Sequence, residues 1–169
     1  MAKIAAIMDD MFEDIEYTKP AEKFREEGHD VQVVGIKAGK TLTGKKKDTK
    51  VEVDQGLDQA NPDDFDALFI PGGYSPDKLR IHPSALDFVK AFMQNNKPVF
   101  SICHAPQLLI TAQVLKGRKL TGWKSIVQDI KNAGAEFADQ EVVVDGNLVS
   151  SRNPGDLPAF IREALKKLK

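Results

Sequence analysis

The sequence has a single cysteine, Cys103, among its 169 residues. One cysteine excludes an intrachain disulfide and is typical of proteins kept in a reducing cytosol, so we predict a cytoplasmic location. The sequence also lacks the ~20 consecutive apolar residues that a membrane-spanning helix needs. Its first apolar run is interrupted by Asp9 and Asp10 too early for a signal peptide. We therefore expect no membrane partner.

Excess charge of one sign is also missing. Lysine and arginine total 24 against 25 aspartates and glutamates, a formal net charge of −1. No global field then steers the protein to nucleic acid, and no nucleic-acid partner is expected. The one dense basic run, 45–47, is interpreted as a solvated loop. Metal-ligand spacing, a P-loop and a dinucleotide fingerprint are absent too, so the sequence predicts no metal and no cofactor.

The sequence does contain alternating strand and helix signals over a length that suits one domain, 1–169. Apolar runs typical of strands covered on both faces lie at 3–8, 31–36, 67–70 and 98–102. Amphipathic helices are predicted between and after them, including 83–95, 123–133 and 157–168, the last capped by Asp156. Short alternating segments within 41–54 predict a small antiparallel excursion, and a hairpin is expected at 142–150. The pattern predicts an α/β three-layer sandwich with a mostly parallel central sheet.

The segment around Cys103 is predicted to pass from a buried strand into a helix without a break, with Pro106 in the first helical turn. A strand-to-helix turn this tight strains the backbone of Cys103 and holds its side chain above the sheet, as in a nucleophile elbow. The helix N-terminus behind Cys103 favours a thiolate. The alternative is an inert buried thiol, which is common for lone cysteines.

Ligands of parallel α/β sheets bind beyond the carboxyl ends of the strands. Three sequence features converge there: the acidic loop 9–13, the pair Gly72-Gly73, and Cys103 with His104. Paired glycines after a strand let backbone amides face a ligand. The N–H groups of Gly73 and His104 are therefore candidate donors to a developing oxyanion.

Three side chains near this edge are candidate partners of the cysteine. Glu13 follows the first strand, and we predict that it is protonated and donates a hydrogen bond to the Cys103 sulfur, because two close negative charges are unfavourable. Alternatively, Glu13 faces the dipole of its own helix. His104 is a candidate proton carrier, although neighbours on a helix do not face each other unless the strained joint turns the ring. Tyr74 is a candidate pocket-lining residue.

Seven motifs together resemble the ThiJ/PfpI superfamily, close to PfpI-type intracellular proteases and bacterial general stress proteins. They lie, in order, at 12–16, 43–45, 65–73, 75–77, 97–107, 132–135 and 142–152. The resemblance implies a flavodoxin-like fold, a nucleophile at Cys103, an acid at Glu13 and oxyanion donors at Gly73 and His104. It also implies a homo-oligomer, a dimer or hexamer, with the active site near the subunit contact.

Two positions depart from the pattern of that superfamily. PfpI-type relatives bring a glutamate from a neighbouring subunit to the histidine, and the matching residue here is Asp77, a possible acid in trans that is one methylene shorter. Ala105 replaces the usual glycine after Cys-His, and its methyl is expected to narrow the pocket floor or tilt the His104 ring. Gly72, Tyr74 and Ala105 are thus the predicted substrate-binding residues.

The activities that the resemblance implies differ in what they require. Small-aldehyde chemistry needs only a thiolate and an acid, whereas peptide hydrolysis also needs an acid for the leaving amine. The sequence therefore predicts a stress-linked cysteine hydrolase acting on glyoxal or methylglyoxal adducts or small aldehydes. The alternatives are an intracellular cysteine peptidase acting on peptides, and an oxidation sensor or chaperone without turnover.

Overall fold

The computed structural model describes residues 1–169. Its strands are β1 (Lys3–Ile7), β2 (Asp30–Gly35), β3 (Thr41–Thr43), β4 (Lys50–Glu52), β5 (Gln55–Gly56), β6 (Ala67–Ile70), β7 (Val99–Ile102), β8 (Lys119–Leu120), β9 (Glu136–Phe137), β10 (Val143–Asp145) and β11 (Leu148–Ser151). Seven of them form the central sheet in the order β10-β11-β7-β6-β1-β2-β5. All neighbours in this sheet are parallel except β10 and β11. The carboxyl ends of β1, β6 and β7 therefore meet at one edge.

Helices cover both faces of this sheet. They are α1 (Asp14–Glu26), α2 (Ser75–Leu79), α3 (Pro83–Gln94), α4 (Pro106–Thr111), α5 (Val127–Asn132) and α6 (Leu157–Lys167), with 3₁₀ turns at Pro62–Asp64, Lys124–Ile126 and Pro154–Asp156. Residues of α3, α4 and α5 pack on one face, and residues of α1 and α6 on the other. This is the predicted three-layer α/β architecture. None of the helices is long and apolar enough to span a membrane.

Aromatic rings fill the layer between the sheet and the α1/α6 side. The ring of Phe24 lies 5.8 Å from those of both Phe69 and Phe100, and Phe69 lies 6.2 Å from Phe160. Successive side chains of a strand point to opposite faces. Leu68 and Ile70, the neighbours of Phe69, accordingly pack on the α3/α4 side. The apolar run of β6 thus supplies both core layers at once.

The antiparallel excursion and the C-terminal hairpin are confirmed, as β3 with β4 and as β10 with β11. The predicted helix 123–133 is wrong at its start. Trp123 is extended, because its N–H donates to the carbonyl oxygen of Cys103 at 2.8 Å, and a 3₁₀ turn precedes α5. Asp156 occupies the N-cap position of α6 without capping it. Its carboxylate instead accepts two hydrogen bonds from the Arg152 guanidinium, both of 2.9 Å.

Replacing Phe100 with alanine should lower the free energy of unfolding by about 3–5 kcal/mol, because the substitution opens a cavity in the aromatic layer. Urea denaturation measures this loss. The matched control is Val144→Ala on β10, where the side chain is 43% exposed and the expected change is below about 0.5 kcal/mol. Equal losses in both variants would contradict the assignment of Phe100 to the core.

Candidate active site

Cys103 is the joint between β7 and α4. Its φ angle is 61°, in the left-handed region that residues other than glycine rarely adopt. The strained backbone is held from both sides, since its N–H donates to the Ser151 carbonyl at 3.0 Å and its carbonyl accepts the Trp123 N–H at 2.8 Å. Pro106 lies in the first turn of α4 as predicted. Local strain of this kind persists where the surrounding structure holds it in place.

The joint turns the two neighbouring side chains toward each other. The Cys103 sulfur lies 3.4 Å from Nδ1 of His104, although successive residues of a helix would face apart. The backbone N–H groups of His104 and Gly73 lie beside the sulfur and act to lower the pKa of the Cys103 thiol. Cys103 is only 8% exposed. The sulfur thus lies in a nearly closed site, with a ring nitrogen and two amide donors around it.

The carboxyl group against the sulfur belongs to Glu16, so the predicted position of Glu13 is wrong. Glu16 lies in the first turn of α1 and is fully buried, and its carboxyl lies close enough to the Cys103 thiol for each group to shift the pKa of the other. Its Oε1 accepts the Gly72 N–H at 3.0 Å. A sequence signal for this was present. Residues 16, 20 and 24 follow the i, i+4, i+8 spacing of one helix face, and all three are buried.

Glu13 instead binds two lysines on the other side of this helix start. Its carboxylate lies 2.9 Å from Lys45 Nζ and 3.2 Å from Lys46 Nζ. The carboxylate of Asp14 holds their loop by accepting the N–H groups of Lys46 and Thr49 at 3.0 and 2.9 Å. The basic run is therefore part of the site's rim. Its interpretation as a solvated loop is wrong for Lys45, whose ammonium is paired with Glu13.

Gly72 and Gly73 make the close contacts of the site possible. The carbonyl of Gly72 accepts the Glu13 N–H at 3.1 Å, while its own N–H is used by Glu16. A Cβ on Gly72 would contact the Glu16 carboxylate and would lie 2.8 Å from the Cβ of Cys103. Gly73 has a φ of +80°, which a side chain would strain. Both glycines therefore position the acid and the sulfur.

The other predicted residues lie in different settings. Tyr74 is 55% exposed at the rim, with Lys45 Nζ 5.6 Å from its ring centroid. Ala105 is fully buried in the core layer next to α3 and α4. Its methyl therefore does not line the pocket, contrary to expectation. The Asp77 side chain is 61% exposed and pairs with Arg80 at 3.6 Å. The placement of Asp77 in trans stays a prediction.

Burial sets the protonation of the two innermost groups. It raises the pKa of the Glu16 carboxyl from 4.5 to about 8, and the negative charge of Glu13 adds to this rise. Burial, followed by the charge of Glu16, also raises the pKa of the Cys103 thiol, against the opposing N–H groups of His104 and Gly73. The expected net lowering of the Cys103 pKa is therefore wrong, because burial raises it.

The pKa of His104 is shifted in the opposite direction, downward. Burial and the Lys45 ammonium lower the pKa of His104 below its usual 6.5, and the Asp77 charge opposes them. At neutral pH His104 is then an uncharged imidazole that can take a proton. The site as a whole holds a thiol, a base 3.4 Å away, a protonated carboxyl and two amide donors. This set can form a sulfur nucleophile and stabilise an oxyanion.

The chain is similar over nearly its whole length to known proteins. The model of the DJ-1/PfpI family matches residues 2–167. Protein/nucleic acid deglycase 2 of Escherichia coli (strain K12) is 55% identical over 98% of this chain and 97% of its own. General stress protein 18 of Bacillus subtilis (strain 168) is 53% identical over 98% and 97%. A crystal structure of a two-domain protein from Anabaena variabilis, with DJ-1/ThiJ/PfpI-like and ferritin-like domains, superposes with a TM-score of 0.97 and 38% identity. That superposition covers 99% of this chain and 48% of the Anabaena chain.

The raised pKa of Glu16 predicts a pH-dependent stability. The unfolded chain ionises this carboxyl above about pH 4.5, whereas the folded chain keeps the proton up to about pH 8. The stabilisation is therefore complete below about pH 4.5 and is lost as the pH rises to about 8, by on the order of a few kcal/mol. Glu16→Gln should remove this dependence in urea denaturation series between about pH 5 and pH 8. The matched variant Glu22→Gln, at an exposed position of the same helix, should keep it, and identical pH profiles for all three proteins would contradict the burial of Glu16.

Proposed function

The chain belongs to the DJ-1/PfpI family, and from that premise we propose that it is a cysteine-dependent deglycase. Its substrates in this proposal are glyoxal and methylglyoxal adducts of amines and thiols. Two relatives that are more than half identical support the class, since one is named a deglycase and the other a general stress protein. The observation that carries the proposal is the contact of 3.4 Å between the Cys103 sulfur and His104 Nδ1 beside the buried Glu16.

In the proposed reaction, Cys103 attacks the adduct carbon while its proton passes to His104. The carbon–nitrogen or carbon–sulfur bond to the adducted group breaks, and His104 returns the proton to the leaving amine or thiol. The product on the enzyme is a hemithioacetal of the two-carbon or three-carbon dicarbonyl. The N–H groups of Gly73 and His104 stabilise negative charge on its oxygen.

The remaining steps are an internal redox change and a hydrolysis. The hydrogen on the hemithioacetal carbon moves to the neighbouring carbonyl carbon through an enediol, so one carbon is oxidised as the other is reduced. The product is a thioester of a 2-hydroxy acid. Water then cleaves the carbon–sulfur bond and releases the free hydroxy acid and the Cys103 thiol. No external oxidant is needed, and the protonated carboxyl of Glu16 donates to the sulfur or the enediol oxygen.

Peptide hydrolysis is less well supported by the same residues. A peptidase needs an acid that orients the histidine while the leaving amine is protonated. The acid that the resemblance implies, Asp77, is 61% exposed and bound to Arg80. An exposed carboxylate that is already paired provides little fixed orientation. The test below therefore also measures peptidase activity.

Cys103→Ser and Cys103→Ala should each lower deglycase turnover by roughly a hundredfold or more, because the nucleophile is lost. The substrate is a methylglyoxal adduct of N-acetyl-lysine or N-acetyl-cysteine. NMR follows the free amine or thiol together with the 2-hydroxy acid. Circular dichroism and the urea midpoint establish that both variants stay folded.

Two further arms make the assay decisive. A hydrazine trap removes free methylglyoxal, and continued turnover in its presence would identify the adduct itself as the substrate. Turnover that stops with the trap would overturn the deglycase proposal in favour of a glyoxalase. Cleavage of a fluorogenic peptide that depends on Cys103, without adduct turnover, would overturn it in favour of a peptidase.

A further inference from the structure

We propose that Lys45 is a positioning residue for the cysteine site, and that its ion pair with Glu13 sets the pH at which Cys103 becomes reactive. This inference deepens the proposed function, because it concerns the same site. It does not depend on the identity of the substrate, since it describes proton affinity within the free protein.

The first observation is that Lys45 is fixed at three points. Its backbone N–H donates to the carbonyl of Phe12 at 2.9 Å. Its ammonium lies 2.9 Å from Oε2 of Glu13 and 5.6 Å from the ring centroid of Tyr74. These partners come from the segment after β1 and from the segment after β6. The ammonium is therefore held at the edge where both segments meet Cys103.

The second observation is that the β3–β4 loop is clamped in place. The Asp14 carboxylate accepts N–H groups from this loop at 3.0 and 2.9 Å, and Gly44 donates to the Thr49 carbonyl at 2.9 Å. A Cβ on Gly44 would collide with the Asp14 carboxylate. The loop cannot swing outward without breaking these bonds, so Lys45 has a defined position instead of a solvated one.

The third observation is the arrangement of charge around Glu16 and Cys103. Glu13 and Lys45 act on Glu16, and Lys45 also acts on Cys103. Lys45 and Asp77 act on His104, the ring beside the sulfur. Glu13 raises the pKa of Glu16, whereas Lys45 lowers the pKa values of Glu16 and His104. The two members of one ion pair thus act on the buried acid with opposite signs.

A control residue lies within the same loop. Lys46 contacts the same carboxylate at 3.2 Å, but its side chain is 60% exposed against 34% for Lys45. Water screens an exposed charge far more strongly than a partly buried one. The proposal therefore predicts different effects from two adjacent lysines.

The test measures the pH dependence of Cys103 alkylation by iodoacetamide, read by intact mass. Cys103 is the only cysteine, so the reading reports one site. Lys45→Gln should raise the midpoint of the alkylation curve by about half a pH unit to one pH unit, because a positive charge that stabilises the Cys103 thiolate is lost. Glu13→Gln should move it down by a similar amount, and the double variant should lie near wild type. Lys46→Gln should give less than half the shift of Lys45→Gln.

The signs distinguish positioning from a loss of loop structure. A merely structural role would move Lys45→Gln and Glu13→Gln in the same direction, and that result would overturn the proposal. An equal shift in Lys46→Gln would overturn it as well. Thiolate absorbance near ~240 nm supplies a second measurement that needs no reagent access. A wild-type protein without adduct turnover would remove the proposed function, yet the alkylation curves would still decide the role of Lys45.

Discussion

The contact between the Glu16 carboxyl and the Cys103 sulfur is the constraint on which the site depends. Both groups are buried, and two negative charges in that position would be strongly unfavourable. The structure therefore keeps a proton on Glu16 at neutral pH and keeps His104 uncharged. Gly72 leaves the space that the contact needs, since any side chain there would collide with both partners.

The parallel sheet explains how distant segments reach this contact. The ends of β1, β6 and β7 lie side by side, so the start of α1, the paired glycines and the β7–α4 joint converge at one edge. The Phe12–Gly73 bridge joins the first two segments, and the Glu13 N–H donates to the Gly72 carbonyl at 3.1 Å. The left-handed backbone of Cys103 completes the site by turning His104 toward the sulfur.

Charge is arranged in two layers around the sulfur. The inner layer is the protonated Glu16 with the neutral His104, and the outer layer is Glu13 with Lys45 and Lys46. Such an arrangement separates two tasks that one carboxylate could not perform together. The inner acid can donate a hydrogen bond to sulfur or oxygen, while the outer ion pair adjusts the field that both inner groups experience.

The sequence by itself determined the α/β class, the order of the main elements, the C-terminal hairpin and the importance of the segment around Cys103, because these follow from local periodicity and turn chemistry. It predicted Glu13 as the acid beside the sulfur, which is wrong, since Glu16 occupies that position. Only the tertiary structure identified Glu16, since burial of one helix face depends on how α1 packs against the sheet. Packing likewise placed Lys45 on the site's rim and the Ala105 methyl in the core. Such contacts join segments far apart in the chain. A local pattern can mark a helix face as buried, as the spacing of residues 16, 20 and 24 does, but it does not show which residue that face meets.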